Sequence, residues 1–224
     1  MNSFPAFRTM LFVQWKLQRA ELLGLTLVAA AIAPVATWPA VKSGVDTMMA
    51  LTRMVDAGTI IRPAGSLLAL FAGALLAMRP FILDARARHT YALALPVPRS
   101  SYALMRAASG CILALIPTAG FLIGSLVAAQ AIPSSLWVQK FPVALTLRFL
   151  LAVVTAFAAF FAVQYGLGGR ARRWMVIVAC TLVGVEIIGQ ALFSASMLEP
   201  TANLLSGLWS PIRLFNERWA LFDV

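Results

Sequence analysis

The chain has 224 residues, of which 61% are hydrophobic and only 12% are charged, against about 25% charged in an ordinary soluble domain. Eighteen Lys plus Arg stand against eight Asp plus Glu, a formal net charge of +10. A soluble domain of this size could not hide so much apolar surface behind so few charges, and disorder needs low hydrophobicity. An all-α polytopic membrane protein is expected, with its basic excess gathered largely on one side of a bilayer.

Crossing a hydrocarbon core of roughly 30 Å takes about 20 apolar residues. Ahead of the first such run, Phe4, Phe7, Leu11 and Trp15 recur at helical spacing, with Arg8, Gln14, Gln18 and Arg19 between them. Residues 4–21 therefore read as an amphipathic interfacial helix, or as an extension of the first span. Lys16, Arg19 and Glu21 separate this patch from a run too long for a signal-peptide core. The N-terminus therefore reads as uncleaved, with Ala29–Ala36 the one stretch that could offer a cleavage site.

The first span is 22–41, with Pro34 and Pro39 near its end. A polar stretch follows, holding Lys42, Asp46, Arg53, Asp56 and Arg62, with Met48–Leu51 as a surface helical turn. The second span is 60–81. Segment 83–101 is the most polar inner piece, with Asp84, Arg86, Arg88, His89 and Arg99, broken by Pro96 and Pro98. Ser100 or Ser101 is expected to cap the third span, 102–129. Pro117 would kink it, and Gly120 and Gly124 form a GxxxG suited to close helix approach. The fourth span is 145–167. A tight basic turn at Gly168–Arg173 leads to the fifth, 174–194. The tail 195–224 is mixed, and is either re-entrant or a sixth span. The whole chain reads as one membrane domain.

With the N-terminus in the cytoplasm, eleven of the basic residues fall inside and seven outside. The Arg170–Arg173 turn contributes most to that bias. A bacterial inner membrane is the expected location. The inner charge serves orientation and attraction to anionic lipid. Without a soluble domain or recognition motif, no nucleic-acid partner is expected.

Catalytic patterns are missing. There is no GxSxG, no HExxH, no carboxylate cluster for magnesium and no GxxxxGK[ST]. Cys111 and Cys180 read as small buried hydrophobes. With a single histidine, His89, no metal or cofactor site is expected. One acid, Glu186, falls mid-span, where a charge costs about 2.5–3.5 kcal/mol. It reads either as part of a translocation path or as a structural acid partnered by Arg148, Gln164 or Gln190.

The stretch from Arg79 to Tyr102 carries the clearest pattern. Its charges come first, then a short amphipathic helix, then a Leu95–Pro96–Val97–Pro98–Arg99 turn directly before a long span, which by spacing reads equally as a docking surface for a soluble partner or as a plain polar loop. This resembles the permease subunits of ABC exporters of the type-2 transporter class. The resemblance implies a coupling helix docking on a separate ATPase subunit, with Asp84, Arg86, Arg88, His89 and Tyr91 at the contact. It also implies a second permease chain, alike or different, and the long apolar spans suggest an amphipathic or lipid-like cargo. ATP hydrolysis would then belong to the partner, and this chain would not itself be an enzyme. Phe4–Arg19 is similar to the family's N-terminal connecting helix, and Leu204–Arg213 to its external segment before a sixth span. The chain departs from the family in having fewer acids beside Arg86 and no clean sixth span. A reading of another class stays open, a non-transporting scaffold or accessory subunit of a larger membrane complex.

Overall fold

A computed structural model of the chain describes residues 3–42, 47–86, 98–132, 139–166, 215, 219 and 221–223. Four long helices dominate these residues: α1 (Ser3–Lys42), α2 (Thr47–Arg86), α3 (Arg99–Ala131) and α4 (Pro142–Gly166). All four are long and apolar enough to cross a membrane. The span expected at 174–194 lies outside the described residues.

α1, α2 and α3 run past both ends of the spans expected for them, and α4 begins before its own. α1 does not break between 21 and 22, because Ala20, Glu21, Leu22 and Leu23 are all strong helix formers. The segment expected as a separate amphipathic helix is thus continuous with the first span. α2 takes in the polar stretch from Thr47 and runs through Pro63 and Pro80. α3 starts one residue after Pro98, its N-cap, with no side-chain cap; Ser100 and Ser101 lie exposed in the first turn instead. The amide of Tyr102 donates to the Pro98 carbonyl at 3.0 Å. Proline suits this position because it needs no amide partner there.

The helices form a closed ring, α1 beside α2 and α3, and α4 beside α2 and α3. Close approaches fix their directions. Gly120 and Gly124 of α3 meet Thr26 and Ala30 of α1, so these two run parallel. Gly110 meets Phe157 and Phe121 stacks on Phe149, so α3 and α4 are antiparallel. Gly73 lies against Ala156, and Phe81 against Tyr165, so α2 and α4 run parallel. The starts of α1 and α3 and the ends of α2 and α4 therefore share one end of the bundle.

The GxxxG contact has a specific cause. Pro34 has no amide, so the carbonyl of Ala30 loses its helical partner four residues on. Gly124 packs over that carbonyl, where any side-chain carbon would collide with it. Hydroxyls in the helices are satisfied locally. Thr26 donates to Leu22 (2.7 Å), Ser125 to Phe121 (2.8 Å) and Thr118 to Ala114 (2.8 Å). Back-bonding of this kind lets hydroxyls sit in apolar surroundings.

The outer surface is apolar on every helix. Leu27 is 73% exposed, Leu67 63%, Leu104 72% and Val143 68%. On α3, Leu104, Cys111, Leu115 and Ile123 share this outward stripe. Cys111 is thus exposed on the bundle surface, not buried as its apolar neighbours implied. Its helical spacing from Leu104 and Leu115 puts it on their face. Cys180 lies outside the described residues.

At the end opposite the N-terminus, Gln139–Lys140 (β1) pairs antiparallel with Phe222–Asp223 (β2). The Phe141 amide donates to the Leu221 carbonyl at 3.0 Å. Trp219, 1% exposed, sits edge-on to the stacked pair of Phe121 and Phe149. Lys140 reaches the last turn of α3, its Nζ donating to the carbonyls of Ala129 (2.6 Å) and Ile132 (2.7 Å). A cation at a helix C-terminus satisfies orphan carbonyls and opposes the negative end of the dipole. We expect Lys140→Met to lower stability by about 1–2 kcal/mol, read as the unfolding midpoint in detergent. An unchanged midpoint would show that water replaces this cap at no cost.

Candidate functional site

The basic end of the bundle, shared by the end of α2 and the start of α3, is where the sequence pattern points. α2 carries Asp84 and Arg86 in its last turn, and α3 begins at Arg99. The chain thus leaves the bundle at Arg86 and re-enters at Pro98 on the same end. Arg88, His89 and Tyr91 lie outside the described residues, as does Glu186.

Two interactions build the described part of this end. Arg79 Nη2 pairs with Glu21 Oε1 at 2.6 Å, with both side chains partly exposed. The pair ties α1 to α2 in antiparallel register, nearly two turns before α2 ends. An ion pair in water at such exposure is worth at most about 1 kcal/mol, so its role is register more than stability.

The second interaction is Arg106 with Tyr102. Arg106 is only 5% exposed, so α3 carries a guanidinium inward from the bundle end. Its Nη1 donates to the Tyr102 hydroxyl at 2.8 Å, and its Cζ lies 5.7 Å from that ring's centroid. In sequence Arg106 reads as a surface charge. Its i,i+4 spacing from Tyr102 is visible there, but its inward face emerges only once α1 and α4 flank α3. One helical turn further, Ser109 is also fully buried and donates to the Met105 (2.9 Å) and Arg106 (3.0 Å) backbone carbonyls.

α1 contributes buried amides at positions one turn apart, Gln14 and Gln18. Neither side-chain polar atom of Gln18 has a hydrogen-bond partner among the described residues. The buried Gln164 of α4 belongs to this same end of its helix. Arg148 is near the opposite end of α4, its guanidinium 5.7 Å from the Trp219 ring centroid. Sixteen residues of helix separate Arg148 from Gln164, roughly 24 Å, so a single acid could partner only one of them.

Among the described residues no three of His, Cys, Asp and Glu come together as a metal site would require. The arrangement offers no described nucleophile–base pair. Its chemistry is that of a basic, polar end on an apolar helical bundle. The class that the fold defines is accordingly a helical bundle with four helices able to cross a membrane. No family model, curated protein or solved structure matches this chain.

Proposed function

We propose that the chain is an integral membrane protein of a bacterial inner membrane, with its N-terminus in the cytoplasm, acting as the permease subunit of an ABC exporter of the type-2 class. The observation that carries this reading is the segment between α2 and α3. The charged helix-and-turn pattern Asp84–Arg99 bridges helices that end and begin on one end of the bundle. With the N-terminus inside, that end holds the larger share of the basic residues. A soluble ATPase pressing on this segment would move α2 and α3 together, and through them α1 and α4, on which they pack. ATPase closure would then shift the bundle between two states, each favoured by a different nucleotide condition.

The described ends also favour five crossings. Gly166 closes α4 at the basic end, whereas Leu221 and Phe222 lie beside β1 at the other end of α4. That is a separation of roughly 36 Å along a 25-residue helix. A chain leaving at one end and returning at the other crosses an odd number of times. Residues 174–194, the fifth span expected from the sequence, would make that crossing, and the C-terminus would then lie outside.

The interior of the described bundle is filled by its own side chains, Phe121 on Phe149 under Trp219 and Gly110 under Phe157. A path for cargo would therefore run between two copies or two related chains. The same packing favours the alternative, a non-transporting scaffold subunit. Replacing Arg86 and Arg88 by Glu separates the two. In a permease the double variant loses its co-purifying ATPase while the bundle stays folded. A variant that keeps the ATPase at full stoichiometry would remove these arginines from the coupling role.

A further inference from the structure

A groove runs along the outside of the bundle where the N-terminal third of α1 leans on the middle of α3. Leu11, Phe12 and Trp15 form one wall, and Ile112, Leu113 and Ile116 the other, around about 390 Å³. That volume falls within the usual range of ligand sites, about 300–1,000 Å³. At one end the groove meets Arg8, and Arg8 and Phe12 also border a second hollow with Pro5 and Thr9.

The two hollows differ in chemistry. The first is walled by hydrocarbon and aromatic side chains. The second has the Thr9 hydroxyl and the exposed Arg8 guanidinium at its edge. Arg8 has no acidic partner among the described residues, and α1 carries Arg8, Lys16 and Arg19 with no acid before Glu21. The ligand this suits has an apolar tail and an anionic head.

Depth agrees with that reading. α1 has 40 residues, roughly 60 Å of helix, against a hydrocarbon core of about 30 Å. Arg8 sits in the second turn of that helix, ahead of the span that begins at residue 22 and on the headgroup side of it, while Ile112 and Ile116 of the facing wall belong to the span 102–129. A guanidinium there can bind a phosphate oxygen with two parallel N–H donors, as a lysine cannot.

We propose that this groove is a binding site for an anionic phospholipid, with an acyl chain against Leu11, Trp15 and Ile112 and the phosphate on Arg8. The inference rests on the membrane placement above and is independent of the exporter reading. Resistance to carbonate extraction tests the placement first, and extraction of the chain would end both claims. The full chain is then reconstituted with phosphatidylglycerol or phosphatidylcholine, and retained lipid is counted by native mass spectrometry. The expected result is retained phosphatidylglycerol in excess over phosphatidylcholine, lost at least fivefold in Arg8→Glu and kept in Arg19→Glu. Arg8→Gln gives the same loss with a smaller disturbance of charge. Equal retention of the two lipids would overturn the proposal and leave an apolar surface with no head specificity. Equal losses in the Arg8 and Arg19 variants would overturn it too, in favour of diffuse attraction, as would a second copy of the chain filling the groove.

Discussion

Replacing Trp219 with Ala is expected to lower stability by about 3–5 kcal/mol, the range for truncating a buried large aromatic. The indole lies edge-on to Phe121 and Phe149, with centroid distances of 6.5 and 6.4 Å, and covers Gly65 of α2. It therefore touches α2, α3 and α4 at once, and Arg148 stacks over it from α4. Each aromatic pair adds about 0.5–1.5 kcal/mol beyond area burial. In a membrane protein the hydrophobic share shrinks, because lipid is also apolar, but the dispersion attraction forfeited around the cavity keeps its full size. Removing the indole also frees the short β1–β2 pairing, which holds the C-terminal residues to the bundle. The measurement is an unfolding midpoint in detergent for the variant and for Trp219→Phe, which should recover much of the loss. A drop under about 1 kcal/mol would mean that Trp219 does not clamp the bundle.

Gly124→Val should be nearly as damaging, at about 3 kcal/mol, the top of the usual range for overpacking. The obstacle at this position is backbone, the Ala30 carbonyl and Cα, which cannot rotate away as a side chain can. Pro34 leaves that carbonyl open to the approach by denying it an amide partner. Gly120, one turn before, faces Thr26 in the same way. The contrast lies in the same two-helix region: nothing stands within 4 Å of a side-chain carbon at Gly24. Gly24→Ala should therefore raise stability by about 0.5–1 kcal/mol through helix propensity alone. Opposite signs at Gly124 and Gly24 in one thermal series would establish the α1–α3 contact. A mild effect at Gly124 would mean that these helices lie further apart.

Hydropathy makes the helices legible, since apolar runs of this length have few other uses. Their ends are not legible. Arg53 and Asp56 read as part of a polar stretch ahead of the second span, yet α2 begins at Thr47 and takes in both, because charges cost a helix nothing once it projects beyond the hydrocarbon. Pro63 and Pro80 both lie within the helix, and α2 continues through them. Pairwise facts are hidden for a different reason. Glu21 and Arg79 meet only when the register of the α1–α2 hairpin is known. Lys140 looks like a loop charge, and its use as a helix cap depends on where α3 stops. Trp219 belongs to a segment of mixed composition, and its burial is set by α2, α3 and α4, not by its neighbours in sequence. Of the residues that the resemblance assigns to coupling, Asp84 and Arg86 fall in the last turn of α2, and Arg88, His89 and Tyr91 lie outside the described residues, as does Glu186.

The permease assignment is tested most directly by purifying the tagged chain in mild detergent and identifying every co-purifying protein by mass spectrometry. The proposed function predicts a stoichiometric ATPase carrying a P-loop, together with a second copy of this chain or a related permease. A defined set of other membrane proteins with no ATPase would contradict it and establish the chain as an accessory subunit.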